Sequence, residues 1–454
     1  MVETIDVVVE KQTLGPDVVT DTTNANITAL ITQLNAYYQV QSGGKVSIVL
    51  NPVIEHRTLK LPTCSTQNAM NDVDSSGAAG PFGGFYAHTR GIGTHRHLLI
   101  LTTDCKVASV GQLGGNGGTL VVNDGAAGPY SLGSLVHEFG HNLGLNHAGA
   151  ANCGQNLDGT SAQVSMNPGA ACPADQYGDS LDPMGATYPV SPPGISSPQR
   201  IAAGWMVDYA KVTPGTSATQ FHLNPLSSAG TVGIRAVKVT ADNGDVYYIE
   251  YRSKTGQDAT AGQWTDPIAP AVGEVRIVRF HDGTEMTSVM EVGPANPASP
   301  GHRGAFLPVG STFASAGNDG FTLTVNATTA NGADIVLADD PVVATTTALA
   351  VNPVSIGRGG SATATATVTA TGGVKPVGTV TFRDGATILG VVPVDANGIA
   401  TFHLPTTLAA GQHVLTASFA PVAGQDQDPS ASANEVIVVN DAAAVGLPLP
   451  LVAG

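Results

Sequence analysis

The run His137-Glu138-Phe139-Gly140-His141-Asn142-Leu143-Gly144-Leu145-Asn146-His147 constrains this chain of 454 residues more than any other stretch. On an α-helix a spacing of four residues turns roughly 400°, so His137 and His141 emerge about 40° apart and one turn along the axis, two imidazoles aimed at one ion. Glu138 projects to the side, within reach of a water on that ion but outside the ligand pair, where a general base has to stand. Leu132, Leu135, Val136, Phe139 and Leu143 recur at helical spacing on the side away from the histidines. They predict a helix that packs on a core by one face and meets a cleft by the other. Gly144 suits the left-handed conformation that ends a helix and swings the chain back, which makes His147 the third nitrogen. Two histidines flanking a glutamate are common on helix surfaces. A glycine and a third histidine at fixed offsets leave a zinc site as the reading that accounts for all five residues.

Some forty residues downstream stands Tyr177-Gly178-Asp179-Ser180-Leu181-Asp182-Pro183-Met184-Gly185, followed by Ser197-Pro198-Gln199-Arg200 and Gly204-Trp205. The string HExxHxxGxxH together with a methionine turn resembles the metzincin metallopeptidases. His147-Ala148-Gly149 and the later segments resemble most the gametolysin family among them, over roughly Leu98 to Trp205. The resemblance implies a catalytic domain with a mixed sheet and an active-site helix, one catalytic Zn2+ and Met184 in the turn below the metal. The chain departs from astacin and serralysin patterns, since Ala186, two residues past the methionine, replaces the tyrosine that binds zinc there. Tyr177 or Tyr188 is the alternative contact for the oxyanion or the substrate, and the competing reading is that these rings merely pack.

Charged residues make up only 12% of the chain and the formal charge is −16. The first value is half the ordinary share, and with Gly 55, Pro 29 and 42% hydrophobic residues it indicates β-structure with many turns, not disorder. The second argues against nucleic acid as a partner. No apolar run approaches the roughly 20 residues that span a bilayer. Met1-Val2-Glu3 leads straight into the alternating Ile5-Asp6-Val7-Val8-Val9, so the expectation is a secreted or cell-surface protein whose natural leader precedes this sequence. A cytosolic protein is the alternative. Cys64, Cys105, Cys153 and Cys172 are even in number. Of three pairings we expect Cys64 with Cys105 and Cys153 with Cys172, the second closing the loop between the zinc motif and the methionine turn. Buried thiols or a second metal site compete, although no CxxC pair supports the latter.

In chain order, a strand at Val2–Glu10, an amphipathic helix at Asn24–Val40 and a strand at Lys45–Leu50 precede a glycine-rich loop from Ser75 to Gly93 with Phe82, Phe85 and Tyr86. His88, His95 and His97 fall in or just after it without the spacing of a tight metal site. Leu98–Thr103 reads as a buried strand. Thr119-Leu120-Val121-Val122 resembles the edge strand on which metzincins bind peptide substrates, with an ordinary interior strand as the alternative. Past Trp205 short β patterns take over: Thr231–Thr240, Val246–Tyr251, Glu274–Phe280, Phe321–Val325 and Asp334–Leu337. Glu250 and Arg252 read as a charge pair on a sheet face. The nearby aspartates admit Ca2+ without forming a loop that demands it. Alternation in Thr379–Phe382, Ile399–Phe402 and Val414–Ala417, after Pro376-Val377-Gly378, resembles a bacterial immunoglobulin-like repeat.

These readings divide the chain into a zinc metallopeptidase domain at 1–208, a β-sandwich at 209–340, an immunoglobulin-like domain at 341–440 and a disordered tail at 441–454. The fold class is α+β, followed by all-β sandwiches. The expected activity is that of a monomeric, secreted zinc endopeptidase acting on proteins or peptides of the extracellular space or cell wall, with Glu138 as base toward a zinc-activated water. A rival from another class is a surface adhesin whose zinc site is structural or relict. Glu138 counts against it, because a purely structural zinc site has no use for a carboxylate beside an open position. An amidase on cell-wall material is a third reading.

Overall fold

The computed structural model describes residues 1–12, 23–59, 65–75, 93–103, 108–123, 131–154, 157–159, 163–167, 169–185, 191–213, 218–228, 233–241, 244–259, 268–280, 286–299, 301–316, 320–340, 343–422 and 427–441. They form two compact units, residues 1–315 with 321–339, and a second from 340 onward that also takes in 316–320.

The first unit begins with β1 (Val2–Gln12), α1 (Asn24–Gln41), β2 (Ser47–Leu59), α2 (Thr66–Ser75), β3 (Arg96–Thr103), β4 (Val110–Gly111) and β5 (Gly118–Asn123). Their sheet has the order β2-β1-β3-β5-β4, parallel except for β4. Both faces are buried, which is why β1 and β3 read as nearly continuous apolar runs. Ile5, Val7, Val9, Leu99, Leu101, Leu120 and Val122 face one core together with α1 and α3 (Leu132–Asn142). Val8, Leu98, Ile100 and Val121 face α2 on the other side. Thr119–Val122 is therefore an inner strand. The edge is β4, too short to leave a signal in the sequence.

After α3 come β6 (Ala148–Ala151), β7 (Val164–Ser165), β8 (Cys172–Asp175), α4 (Ser197–Ala202), β9 (Tyr209–Val212), β10 (Thr219–Leu223), β11 (Ala236–Thr240), β12 (Val246–Ser253), β13 (Gly273–Phe280), β14 (Thr287–Met290), β15 (Thr312–Ala314), β16 (Gly320–Thr329) and β17 (Gly332–Asp340). A sandwich does form here, an eight-stranded sheet in the order β7-β8-β6-β14-β13-β12-β11-β9 opposite a four-stranded one in the order β10-β17-β16-β15. Tyr247, Ile249, Val275 and Ile277 pack against Phe313, Phe321, Leu323 and Ile335 between them. The division at 208/209 meets no break, however, because β14 pairs with β6 in parallel, Thr287 opposite Ala148 through Met290 opposite Ala151. The strand that leaves the zinc motif is thus part of the sandwich. Ala148-Gly149-Ala150-Ala151 has neither the bulk nor the alternation that marks a strand in a sequence.

Glu250 and Arg252 correct a second expectation, since both are fully buried. Arg252 Nε donates to Glu250 at 2.9 Å and Nη1 to Asp258 at 2.9 Å. Its Nη2 reaches the carbonyls of Leu181 at 2.7 Å and Gly194 at 2.9 Å, and Arg276 pairs with Asp179. The guanidinium thus ties the sandwich to the segment around Met184. Asp245 likewise pairs with Arg279, so the aspartates near β12 serve arginines. Among the described residues they assemble no calcium site, and the one group of metal-ligating side chains is His137, His141 and His147.

The second unit holds β18 (Thr345–Asn352), β19 (Ser355–Gly357), β20 (Thr363–Ala370), β21 (Gly378–Asp384), β22 (Thr387–Pro393), β23 (Ile399–His403), β24 (Gly411–Pro421), β25 (Ser430–Ala431) and β26 (Glu435–Asn440). A sheet β18-β20-β23 faces another in the order β19-β26-β24-β21-β22, with β25 on β24. Val351, Val368, Val380, Phe382, Phe419 and Ile437 fill the space between. No described helix is long and apolar enough to cross a membrane.

Candidate metal centre

Helix α3 starts at Ser131, whose side chain accepts the N–H of Ser134, and buries Leu135, Val136 and Phe139. Tyr38 of α1 donates to the carbonyl of Val136 at 2.7 Å, which fixes the helix from below. At its end Gly144 has φ +86°, with Gly144 N–H bonded to His141 O and Leu145 N–H to Gly140 O. These bonds close the helix and bring His147 back beside its first two histidines. The ring centroids of the three lie 4.9, 5.4 and 4.7 Å apart.

His137 Nδ1 donates to the carbonyl of Pro183 at 2.8 Å and His141 Nδ1 to that of Leu145 at 2.9 Å. Each bond sets the tautomer and leaves Nε2 as a lone pair. The two Nε2 atoms face each other at 3.2 Å. Nitrogens around a tetrahedral zinc, each about 2.0–2.1 Å from it, stand roughly 3.3 Å apart. Two lone pairs at that separation repel unless a cation lies between them, so the donor set fits zinc. The Gln176 carboxamide lies on His147 Nδ1. The amide nitrogen is the atom that faces Nδ1 here, and the amide turned end for end, with its oxygen there, would accept the Nδ1 proton and free Nε2 in the same way. Burial, with the neighbouring imidazole His141, pulls His137 and His147 down to about 4, and burial lowers His141. All three are neutral at pH 7, the form in which an imidazole can bind a metal.

Glu138 is 5% exposed, and burial pushes its carboxyl up to about 8 against the Gly111 N–H that donates to it. Gly111 permits this approach, because a Cβ there would stand 2.3 Å from the Glu138 carbonyl oxygen. Met184 is fully buried below the histidines, and a Cβ on Gly140 would meet its sulfur at 2.5 Å. The turn is held by Asp182, which accepts from Met184 N at 2.8 Å and from Ser196 N at 2.7 Å. The Tyr177 ring, half exposed, lies 4.4 Å from His147 and 6.2 Å from His137. Beside His141 and His147 opens a cavity of about 260 Å3 lined by Leu113, Asn146, Met166, Gln176 and Met286.

Cys153 and Cys172 form a disulfide. Cys64, Cys105, Tyr188, Ala186, His88 and Phe82–Tyr86 lie outside the described residues. Among the described residues His97 belongs to no group of metal-ligating side chains. Its Nε2 is 2.8 Å from Glu3 and its Nδ1 3.2 Å from Asn142 Oδ1, while His95 Nδ1 is 2.9 Å from the same Glu3. Asn142, Gln176 and Gly111 were missed as site residues. Asn142 stands inside the motif and Gln176 beside Tyr177, yet partners drawn from distant segments are what give them their roles.

The fold and the three converging nitrogens describe a metal-dependent hydrolase built around one helix. Residues 8–195 match the model of metallo-peptidase family M12, and residues 346–440 match that of the bacterial Ig-like domain, group 3. The chain therefore carries an M12 metallopeptidase domain and, C-terminal to it, a bacterial Ig-like domain. No curated protein matches it. Among solved structures, the full ectodomain of mouse nectin-like molecule 4 aligns at 11% identity over 53% of this chain and 99% of that one, with a TM-score of 0.17. The N-terminal four Ig domains of Dscam1 isoform 4.44 align at 10% identity over 52% of this chain and 44% of that one, with a TM-score of 0.18. Likeness at such scores carries no argument.

Proposed function

We propose that the protein is a secreted zinc endopeptidase of the metzincin type, close to the gametolysins, in which Glu138 is the general base. The observation that carries this reading is the buried carboxyl group of Glu138 beside three imidazoles whose ligating nitrogens converge. His137, His141 and His147 would hold a zinc ion, which would supply Lewis acidity for peptide hydrolysis. Glu138 takes a proton from the attacking water and delivers it to the leaving amine. The Gly111 N–H orients this carboxyl group, and β4, which among the described residues has no strand beyond it, supports the binding of an extended peptide along its remaining outer edge. The Tyr177 ring, 4.4 Å from that of His147, supports Tyr177 as the contact for the carbonyl oxygen or the substrate, with Tyr188 as the alternative. The Met166–Met286 cavity suits an apolar substrate side chain. Together with the Ig-like domain, these features support extracellular or cell-wall proteins as substrates.

The test is zinc content together with casein or gelatin cleavage, for wild type and Glu138→Gln, with and without a chelator. One zinc in both proteins and cleavage only by untreated wild type is expected. Undiminished cleavage by Glu138→Gln removes that residue from the mechanism, and a protein without zinc removes the reading.

A further inference from the structure

Away from the zinc centre, a cavity of about 200 Å3 opens where the end of α1 meets α4 and the turn at 226–228. Its polar lining is Gln39, Gln41, Arg200, Ser227, Ser228 and Arg235. Arg200 is only 3% exposed. Its Nη1 donates to the carbonyl of Leu226 at 3.1 Å, its Nε has no partner, and among the described residues no carboxylate pairs with it. The acids around it are engaged. Asp208 grips Arg235 with both oxygens, at 2.9 Å for Oδ1, while Glu250 receives Arg252 Nε at 2.9 Å and Ser197 N at 2.7 Å. Burial beside Arg235 and Arg252 pulls the Arg200 guanidinium down to about 10, the direction of a cation short of negative neighbours. Ser227 Oγ is likewise buried without a partner, and Gln41, accepting from Ile195 N through Oε1 at 2.9 Å, keeps its amide nitrogen as a donor.

Arginine is almost never buried to this degree unless it is paired, because an uncompensated buried charge costs several kcal/mol. Donors line this cavity, and among the described residues no carboxylate forms an ion pair with Arg200, since Asp208 and Glu250, which act on it from a distance, are taken by Arg235 and Arg252. We infer that the cavity binds a small oxyanion, held by Arg200 with the Ser227 hydroxyl, while Arg235, bonded through Nε and Nη2 to Asp208 and through Nη1 to the carbonyls of Leu226 and Ser228, forms the wall beside them. Its chemistry fits both an inorganic sulfate or phosphate and the terminal carboxylate of a peptide. This inference does not depend on the peptidase reading.

The test is thermal unfolding of the zinc-loaded full chain at constant ionic strength, titrated with sodium sulfate against chloride. N-acetylalanine and its uncharged amide provide a second titration. Wild type is expected to show a saturable rise in Tm on top of the linear rise that excluded salts give to proteins in general. A response to sulfate alone assigns the site to inorganic anions, and a response to N-acetylalanine but not its amide assigns it to carboxylates. Arg200→Gln should weaken the saturable part about tenfold or more, since a charged hydrogen bond is lost. Gln39→Glu sets a carboxylate of equal size on the cavity rim, and should raise Tm by itself and abolish the response. Absence of a saturable rise in wild type overturns the inference. An undiminished response in Arg200→Gln overturns it too, and if that variant does not fold, an undiminished response in Gln39→Glu decides the same way.

Discussion

At the scale of the residue, the site is governed by one carboxyl group held in two environments, with the metal and without it. In the metal-free protein Glu138 titrates at about 8 because burial opposes its charge, whereas in the unfolded chain it titrates near 4.5. Between these values the folded state holds a proton that the unfolded state has released, so this group's contribution to stability falls as pH rises through the window. Glu138→Gln lacks the term. In chelator, the stability of the variant relative to wild type should therefore rise by about 1.4 kcal/mol per pH unit between 4.5 and 8 and be flat on either side. Urea unfolding of both proteins across that range checks it, and a difference that does not vary with pH would mean Glu138 is not desolvated. This much was legible in the sequence as a role, since the helix period alone turns Glu138 away from the ligand pair. The desolvation was not, because it depends on how the rest of the unit packs around the helix, which leaves Glu138 only 5% exposed.

At the scale of the element, the end of α3 is clamped to the sheet edge by Asn142. Its Nδ2 donates to the carbonyls of Gln112 at 2.9 Å and Thr119 at 3.2 Å, and its oxygen faces His97, which Glu3 holds from the other side. Asn142→Ala strands these buried groups and should cost about 2–3 kcal/mol. Zinc should stay bound while KM rises and the amides of Val110–Gln112 exchange faster with solvent. Unchanged exchange there would show that β4 is held by something else. Periodicity revealed α1, β1, β3 and α3 because each has one uniform environment along its length. It missed α2, whose helix carries mostly polar residues, and β4 and β6, which are short or built of alanine and glycine. It found the β patterns of the sandwich but not their partners, because pairing across some 140 residues leaves no trace in either strand's own composition.

At the scale of the molecule, peptidase and sandwich are a single unit, and Arg252 joins them. Arg252→Met leaves Glu250 and Asp258 buried without their cation and should destabilise the unit by about 3–5 kcal/mol. It should also weaken zinc retention, since the carbonyl of Leu181 loses its anchor near the methionine turn; calorimetry and metal competition read the two effects. Truncation makes the same point more sharply. A chain ending at residue 340 should keep wild-type zinc content and its own cooperative transition, whereas one ending at residue 208 should not fold. The β6–β14 pairing also has a consequence in time. A ribosome reaches Met290 roughly seven to thirty seconds after His147, at about 5–20 residues per second. Through that interval β6 has β8 on one side and lacks β14 on the other, so the loop bearing His147 gains its full sheet only when most of the unit has been made.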